Sequence, residues 1–237
     1  MKQRILVQQT IFHLACLYLY YSAVQAAVFK PGISDSYGGE LKFLTKWTLY
    51  LSTLYHFSSV LVAVSMLVFG RDNDDSMSRS TVFCGILFPS STIVCFAFWA
   101  IFAIHPDLMV PPAVRKLMPI SGFYNHAVHT APVLTCLLET FLVSHRPTKL
   151  VTNLLVWATY CASYLGWIFW VAYKTGVWVY PFLQVLGVVG KAAFFSGSLG
   201  MGFVFVKIVH TLCTRLNATK SDDSAAKIKQ RRSKKER

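Results

Sequence analysis

The chain has 237 residues, of which 54% are hydrophobic and 14% are charged, and its formal net charge is +13. Hydrophobic content this high is not typical of a water-soluble domain, and no heptad or Gly-X-Y repeat runs through the chain, so disorder, coiled coil and collagen are excluded. Six helical membrane crossings need about 120 apolar residues, roughly half of a chain of this length. The composition therefore predicts an all-α polytopic membrane protein.

Six apolar runs, separated by charged or proline-containing segments, predict six transmembrane helices. In chain order the predicted helices cover residues 5–26, 43–69, 81–104, 126–144, 151–173 and 190–212. The connections are short, so neighbouring helices are expected to run antiparallel, and a short interfacial helix is expected within residues 182–189. The predicted division of the chain is a six-helix transmembrane domain over residues 1–217 and a basic, disordered cytoplasmic tail over residues 218–237.

The first apolar run has two interpretations. It follows a basic start and could be a signal peptide, with Ala23, Ala26 and Ala27 near a cleavage site. We favour a retained first helix, because the apolar run continues to about Phe29 and no sharp cleavage site stands out.

Basic residues determine the predicted orientation in the membrane. Lysines and arginines beside the helices divide evenly between the two sides, but the segment from Lys220 to Arg237 adds eight basic residues. This excess predicts that both termini are cytoplasmic and that the tail contacts anionic lipid. The last residues, Lys234-Lys235-Glu236-Arg237, match a dilysine retrieval signal. We therefore expect an integral membrane protein of the endoplasmic reticulum or the plasma membrane.

The spacing of cysteine and histidine argues against a metal site. The six cysteines form no Cys-x-x-Cys pair and are expected to be free thiols. His126 and His129 share one helical face, but a metal site needs more than two ligands. The other histidines are scattered singly along the chain, at His13, His56, His105, His145 and His210. We therefore expect no metal and no cofactor.

Two polar side chains are predicted near the same membrane face. Thr45 lies about four residues inside the second predicted helix and His129 about as far inside the fourth, so at ~1.5 Å per residue each is about 6 Å below the non-cytoplasmic surface. An imidazole within hydrogen-bonding distance can take the proton of a threonine hydroxyl that attacks an acyl carbon. In membrane helices, however, threonine usually bonds its own backbone and histidine more often bridges helices, and the residues alone favour that structural interpretation.

Four short segments carry a recognisable pattern. They are Leu41-Lys-Phe-Leu-Thr45, then Phe88-Pro89 with Phe98-Trp99 and Asp107-Leu108, then Asn125-His126-Ala-Val-His129-Thr130, and Thr175-Gly-Val-Trp-Val-Tyr-Pro181. In this order and spacing, over roughly residues 39 to 212, the chain resembles the androgen-induced protein family. The resemblance implies a six-span membrane threonine hydrolase that cleaves fatty acid esters of hydroxy fatty acids, with Thr45 as nucleophile and His129 as the second catalytic residue. Leu41 departs from the aromatic residue typical of that family, which bears on substrate fit.

Further side chains are candidates for roles around this pair. A tetrahedral intermediate needs hydrogen-bond donors. The candidate donors are Asn125, His126, Lys46 and Tyr124. Glu139 is expected to be a structural, hydrogen-bonded carboxyl near Lys207, with a place in a substrate channel as the alternative. Trp178 and Tyr180 are expected at the membrane interface, with pocket lining as the alternative.

The sequence therefore predicts a membrane ester hydrolase that forms an acyl-Thr45 intermediate, which water activated by His129 then releases. The alternative is a non-catalytic membrane regulator that binds lipid or a protein partner. A transporter would need broken helices and midplane charges, for which Glu139 and Lys207 are the candidates. The expected partners are the bilayer and a lipid ester, without nucleic acid.

Overall fold

The computed structural model describes residues 2–28, 36–70, 76–109, 122–146 and 148–235, and these residues form helices and connecting turns without a strand. The helices are α1 (Lys2–Val28), α2 (Leu44–Phe69), α3 (Ser76–Val82), α4 (Phe88–Ile104), α5 (Gly122–His129), α6 (Ala131–Leu142), α7 (Leu150–Thr175), α8 (Pro181–Val185) and α9 (Val188–Lys235). Short 3-10 turns cover Gly39–Lys42 and Pro106–Leu108. The predicted all-α class is confirmed.

Among the residues that the structure describes, four helical segments are long and apolar enough to cross a membrane. They are Leu44–Phe69, Met77–Ile104, Leu150–Thr175 and Val188–Lys220, and they coincide with four of the six predicted crossings. The chain is therefore a multi-pass membrane protein. The count of six crossings and the cytoplasmic position of both termini stay predictions. The first predicted crossing is helical as α1, but its first two turns contain several charged and amide side chains, which lower its mean hydropathy.

The predicted helix over residues 126–144 is wrong as a single helix, because the chain breaks at Thr130. α5 ends at His129 and α6 begins at Ala131. Pro132 lies in the first turn of α6 and has no backbone N–H, so it cannot continue the hydrogen-bonding ladder of α5. The Thr130 N–H still donates to the His126 carbonyl at 2.9 Å, so the two helices stay connected by a turn. The break leaves His129 at the end of α5.

The third crossing contains a π-helical turn, Phe83–Leu87, between α3 and α4. Gly85 lies in this turn against α7, where an added Cβ would be 3.0 Å from Val156 Cγ1 and 3.2 Å from the Asn153 carbonyl oxygen. Glycine therefore allows the two backbones to approach closely.

The last helix begins two residues earlier than predicted, at Val188, and ends later, at Lys235. The short helix expected within residues 182–189 is confirmed as α8, at Pro181–Val185. α9 then continues as helix to Lys235 and so includes most of the segment predicted to be a disordered tail. The division of the chain at residue 217 stays a prediction.

Trp157 of α7 is the central packing residue between α4, α7 and α9. Its side chain is 2% exposed and packs with Ile93 of α4 and Val206 of α9. An added Cβ at Gly202 would lie 2.1 Å from the Trp157 ring, so α9 presents a glycine where the indole needs space. These three helices form one wall of the cavity that contains Thr45.

Candidate active site

An apolar cavity opens between the start of α2, the middle of α4, and α7 to α9. It encloses about 110 Å³ and, with its open mouth, about 850 Å³ of space between its walls. Its apolar walls include Ile93, Phe98, Trp157, Phe182 and Phe194. Apolar cavities with a few convergent polar groups are the usual form of small-molecule sites.

Thr45 lies in the wall of this cavity, in the first turn of α2, and is half-buried. The Leu44 N–H immediately before it donates to two tyrosine hydroxyls, those of Tyr164 and Tyr180, at 3.0 Å each. Both tyrosines also line the cavity. The first backbone N–H groups of a helix have no acceptor within the helix and need one from elsewhere. Here the hydroxyls of Tyr164, in α7, and Tyr180, just before α8, accept the Leu44 N–H. Thr45 is therefore held beside two hydroxyl groups.

The protons of the two tyrosines are not equivalent. The Tyr164 hydroxyl donates to the Lys42 carbonyl at 3.1 Å, and the two phenolic oxygens are 3.0 Å apart. Because Tyr164 has only one proton, the proton between the pair comes from Tyr180. Burial raises the pKa of the Tyr180 phenol, although the Leu44 N–H that donates to its oxygen acts in the opposite direction. Tyr180 is therefore a neutral donor at physiological pH.

His129 lies at the end of α5 and is buried. Its Nδ1–H donates to the Asn125 carbonyl at 3.1 Å, which gives Nε2 the lone pair that a general base requires. Its ring stacks on Phe98, with centroids 3.5 Å apart and planes 8° from parallel. Phe98 also lines the cavity beside Thr45. His129 is thus one aromatic ring away from the cavity that Thr45 lines.

Lys46 and Tyr124 belong to a charged cluster beside the cavity. The Lys46 ammonium is 2.7 Å from a Glu40 carboxylate oxygen and 5.8 Å from the centre of the Tyr124 ring. The Tyr50 hydroxyl donates to the same carboxylate oxygen at 3.3 Å. The Lys46 ammonium is already paired with Glu40. Lys46 is therefore better suited to fixing the start of α2 than to donating a hydrogen bond to an oxyanion.

Asn125 and His126 also lie outside the described cavity wall. The Asn125 carbonyl orients His129, as described above. His126 is hydrogen-bonded through Nδ1 to the Thr130 hydroxyl at 3.1 Å and stacks on Trp99, with centroids 5.1 Å apart. These contacts stabilise the break between α5 and α6.

The three predicted channel residues lie in three different places. Tyr180 lines the cavity. Trp178 packs on Phe169 and Phe195 next to it. Glu139 belongs to a separate buried cluster, in which Tyr55 donates to it at 2.7 Å.

The expected contact between Glu139 and Lys207 is wrong, because Lys207 is exposed and Glu139 is 1% exposed among side chains of α1 and α2. Tyr164 was not among the predicted site residues. It belongs to an aromatic series, Trp157, Tyr160 and Tyr164, which helical spacing places on one face of α7 and which core packing explains equally well.

The fold and the cavity define a class: a multi-pass helical membrane protein with an apolar cavity that opens beside a threonine, two tyrosines and a stacked histidine. Within this class the chain belongs to the FAR-17a/AIG1-like protein family, whose model matches residues 8–214. The predicted family resemblance is confirmed.

Two human relatives have comparable length. The chain is 31% identical to the androgen-dependent TFPI-regulating protein of Homo sapiens over 205 residues, which cover 86% of each protein. It is 29% identical to the androgen-induced gene 1 protein of Homo sapiens over 182 residues, which cover 73% of this chain and 76% of the relative. No solved structure matches the chain.

Proposed function

We propose that this protein is a threonine-type carboxylic ester hydrolase of the membrane that cleaves fatty acid esters of hydroxy fatty acids. The observation that carries the proposal is that Thr45 and Tyr180 line one apolar cavity whose Phe98 wall stacks on His129. A nucleophile, a proton acceptor and a hydroxyl donor are the groups that acyl transfer needs.

The reaction follows from these groups in two half-reactions. His129 Nε2 takes the Thr45 proton as the threonine oxygen attacks the ester carbonyl, and the Tyr180 hydroxyl turns from Tyr164 to donate to the oxyanion. The C–O ester bond then breaks, and His129 returns the proton to the departing hydroxy fatty acid. Water, deprotonated by His129, attacks the acyl-Thr45 ester, and His129 returns that proton to the Thr45 oxygen as the fatty acid is released. The first step needs Nε2 within about 3 Å of the Thr45 hydroxyl in the complex with substrate, and catalytic hydrogen bonds often form only in that complex.

The substrate class has two hydrocarbon chains, and the site has two apolar spaces. Besides the cavity, a groove of about 500 Å³ runs along α2 and α7, lined by Leu41, Trp47, Leu54 and Trp167. Tyr160 lines both the groove and the cavity. We propose that the acyl chain occupies the cavity and the hydroxy fatty acid chain the groove, with the ester between them.

The test is ester cleavage by purified protein in detergent. Thr45→Ala and His129→Ala abolish cleavage, whereas Thr45→Ser, which keeps a hydroxyl, retains part of it. Matched controls are Thr53→Ala, whose hydroxyl only bonds the Leu49 carbonyl of its own helix, and His105→Ala, an exposed histidine. Unchanged cleavage by either Thr45→Ala or His129→Ala in folded protein refutes the mechanism.

The competing function is a membrane regulator without catalysis, and the name of one human relative, the androgen-dependent TFPI-regulating protein, favours it. A regulator acts through binding, so the folded Thr45→Ala and His129→Ala proteins would keep its cellular effect. Loss of cleavage together with loss of the cellular effect supports the hydrolase.

A further inference from the structure

Four buried side chains from three separate parts of the chain meet at a second site. His13 comes from α1, His56 from α2 and Glu139 from α6, and His145 follows the end of α6. Their exposed fractions are 1% to 3%. None of them lines the cavity that contains Thr45, and the proposed ester cleavage uses none of them.

The distances within this cluster suit a metal ion. His13 Nδ1 is 2.9 Å from His56 Nδ1 and 3.6 Å from Glu139 Oε2, and the three ligand atoms all lie within 4.8 Å of one another. His145 Nε2 is 3.7 Å from the other carboxylate oxygen of Glu139. Ligands bonded to zinc at about 2.0–2.1 Å in a tetrahedron are about 3.3 Å apart, so small side-chain rotations suffice for His13, His56 and Glu139. His145 lies outside this group of three and completes the set when its Nε2 turns from Glu139 Oε1 toward the ion.

Two polar atoms of the cluster have unmet bonding capacity. Glu139 Oε2 and His145 Nε2 are buried and make no hydrogen bond with any residue that the structure describes. A buried carboxylate oxygen without a partner is costly. A cation between these atoms would satisfy both.

Neighbouring side chains hold the ligands in place, as in known metal sites. The Tyr55 hydroxyl donates to Glu139 Oε1 at 2.7 Å. Phe83 stacks on His145 with centroids 4.2 Å apart, and Tyr20 stacks on His56 with centroids 5.7 Å apart. The rings restrict both imidazoles, so binding costs little side-chain entropy.

We propose that His13, His56, Glu139 and His145 bind one Zn²⁺ that ties α1 to α2 and α6. Neutral imidazoles with one carboxylate are ligands that zinc prefers, and a closed set of four protein ligands is typical of a structural site.

A cavity beside His13 gives zinc a route to the site, but positive side chains lie in and near its wall. This cavity, of about 440 Å³, is lined by His13 and contains Arg79 and Arg146 in its wall. The Lys220 ammonium donates to Ser144, another residue of this wall, at 3.1 Å. These positive charges oppose a cation, so zinc binding depends on the Glu139 carboxylate.

The test measures bound metal in full-length protein purified with a tag that contains no histidine. After incubation with zinc and removal of excess, elemental analysis is expected to find about one zinc ion per chain, and a strong chelator is expected to lower the Tm. Glu139→Gln keeps a hydrogen-bonding partner for Tyr55 but removes the charge, and we expect it to lose most of the zinc. His105→Gln, an exposed histidine far from the cluster in sequence, is the matched control and keeps the zinc.

Zinc at less than about a tenth of the protein concentration in the wild type overturns the proposal, as does equal zinc in Glu139→Gln and His105→Gln. If Glu139→Gln fails to fold, X-ray absorption of the zinc-loaded wild type decides. Imidazole scattering and N/O ligands at about 2.0 Å support the site, and a fully hydrated ion contradicts it.

Discussion

At the start of α2, two tyrosine hydroxyls accept one backbone N–H, and the hydroxyl of Thr45 follows in the next residue of the helix. Tyr164 has committed its proton to the Lys42 carbonyl, whereas the proton of Tyr180 is shared with another phenol. The two similar side chains therefore have different roles. Tyr164 fixes the helix start, and Tyr180 is free to redirect its donor.

This difference predicts the effect of Tyr180→Phe. The substitution keeps the ring in the cavity wall and removes the donor, so kcat for ester cleavage is expected to fall on the order of 100-fold with little change in KM. Steady-state kinetics with purified protein measures both. Tyr173→Phe, an exposed tyrosine of α7, is the control. A raised KM with normal kcat would mean that Tyr180 binds substrate without stabilising the oxyanion.

The sequence identified some of these residues and missed others for a physical reason. Polar groups inside a membrane are expensive, which makes Thr45 and His129 candidates, but the family resemblance distinguishes them from the other polar residues of the helices. Tyr164 does not stand out, because one more aromatic residue in an apolar helix carries no signal of its own. The partners of Glu139 were also unpredictable, since His13 and His145 become neighbours only when α1 packs beside α6.

The packing of helices α4, α7 and α9 depends on the close approach of Gly202, in α9, to Trp157, in α7. An added Cβ at Gly202 would overlap the Trp157 ring, which is 2% exposed and donates to the Leu199 carbonyl. We expect Gly202→Ala to destabilise the protein by about 1–3 kcal/mol and to lower its Tm. Thermal unfolding in detergent checks this.

The matched control is Gly197→Ala on the same helix, where an added Cβ meets nothing within 4 Å. Alanine has the higher helix propensity, so this control is expected to leave the Tm unchanged or to raise it slightly. Equal Tm values for the two variants would contradict the packing of α9 against α7.

Hydrophobic length predicted the long helices well but not their interruptions. Apolar runs locate α2, α4, α7 and the membrane part of α9 to within a few residues. The break at Thr130 is local: its cause, Pro132, lies inside an otherwise continuous apolar run. Gly85 of the π-helical turn lies against α7, and no single segment of the sequence encodes that contact.

At the scale of the whole molecule, the basic C-terminal segment predicts that both termini are cytoplasmic. In sealed microsomes, protease is therefore expected to remove epitope tags from both ends, while a lumenal marker protein is protected. The sequon Asn217-Ala-Thr219 is expected to carry no glycan, because cytosolic sequons are not modified. Protection of either tag, or a glycan on Asn217, would contradict this orientation.

The proposed catalyst depends on a nucleophilic hydroxyl at the cavity wall, and covalent labelling tests it most directly. Purified protein is treated with a fluorophosphonate probe and the modified peptide is mapped by mass spectrometry. The adduct is expected on Thr45, absent from Thr45→Ala and strongly reduced in His129→Ala, because the imidazole activates the hydroxyl. An adduct on another residue that persists in Thr45→Ala would contradict the assignment of Thr45 as the nucleophile.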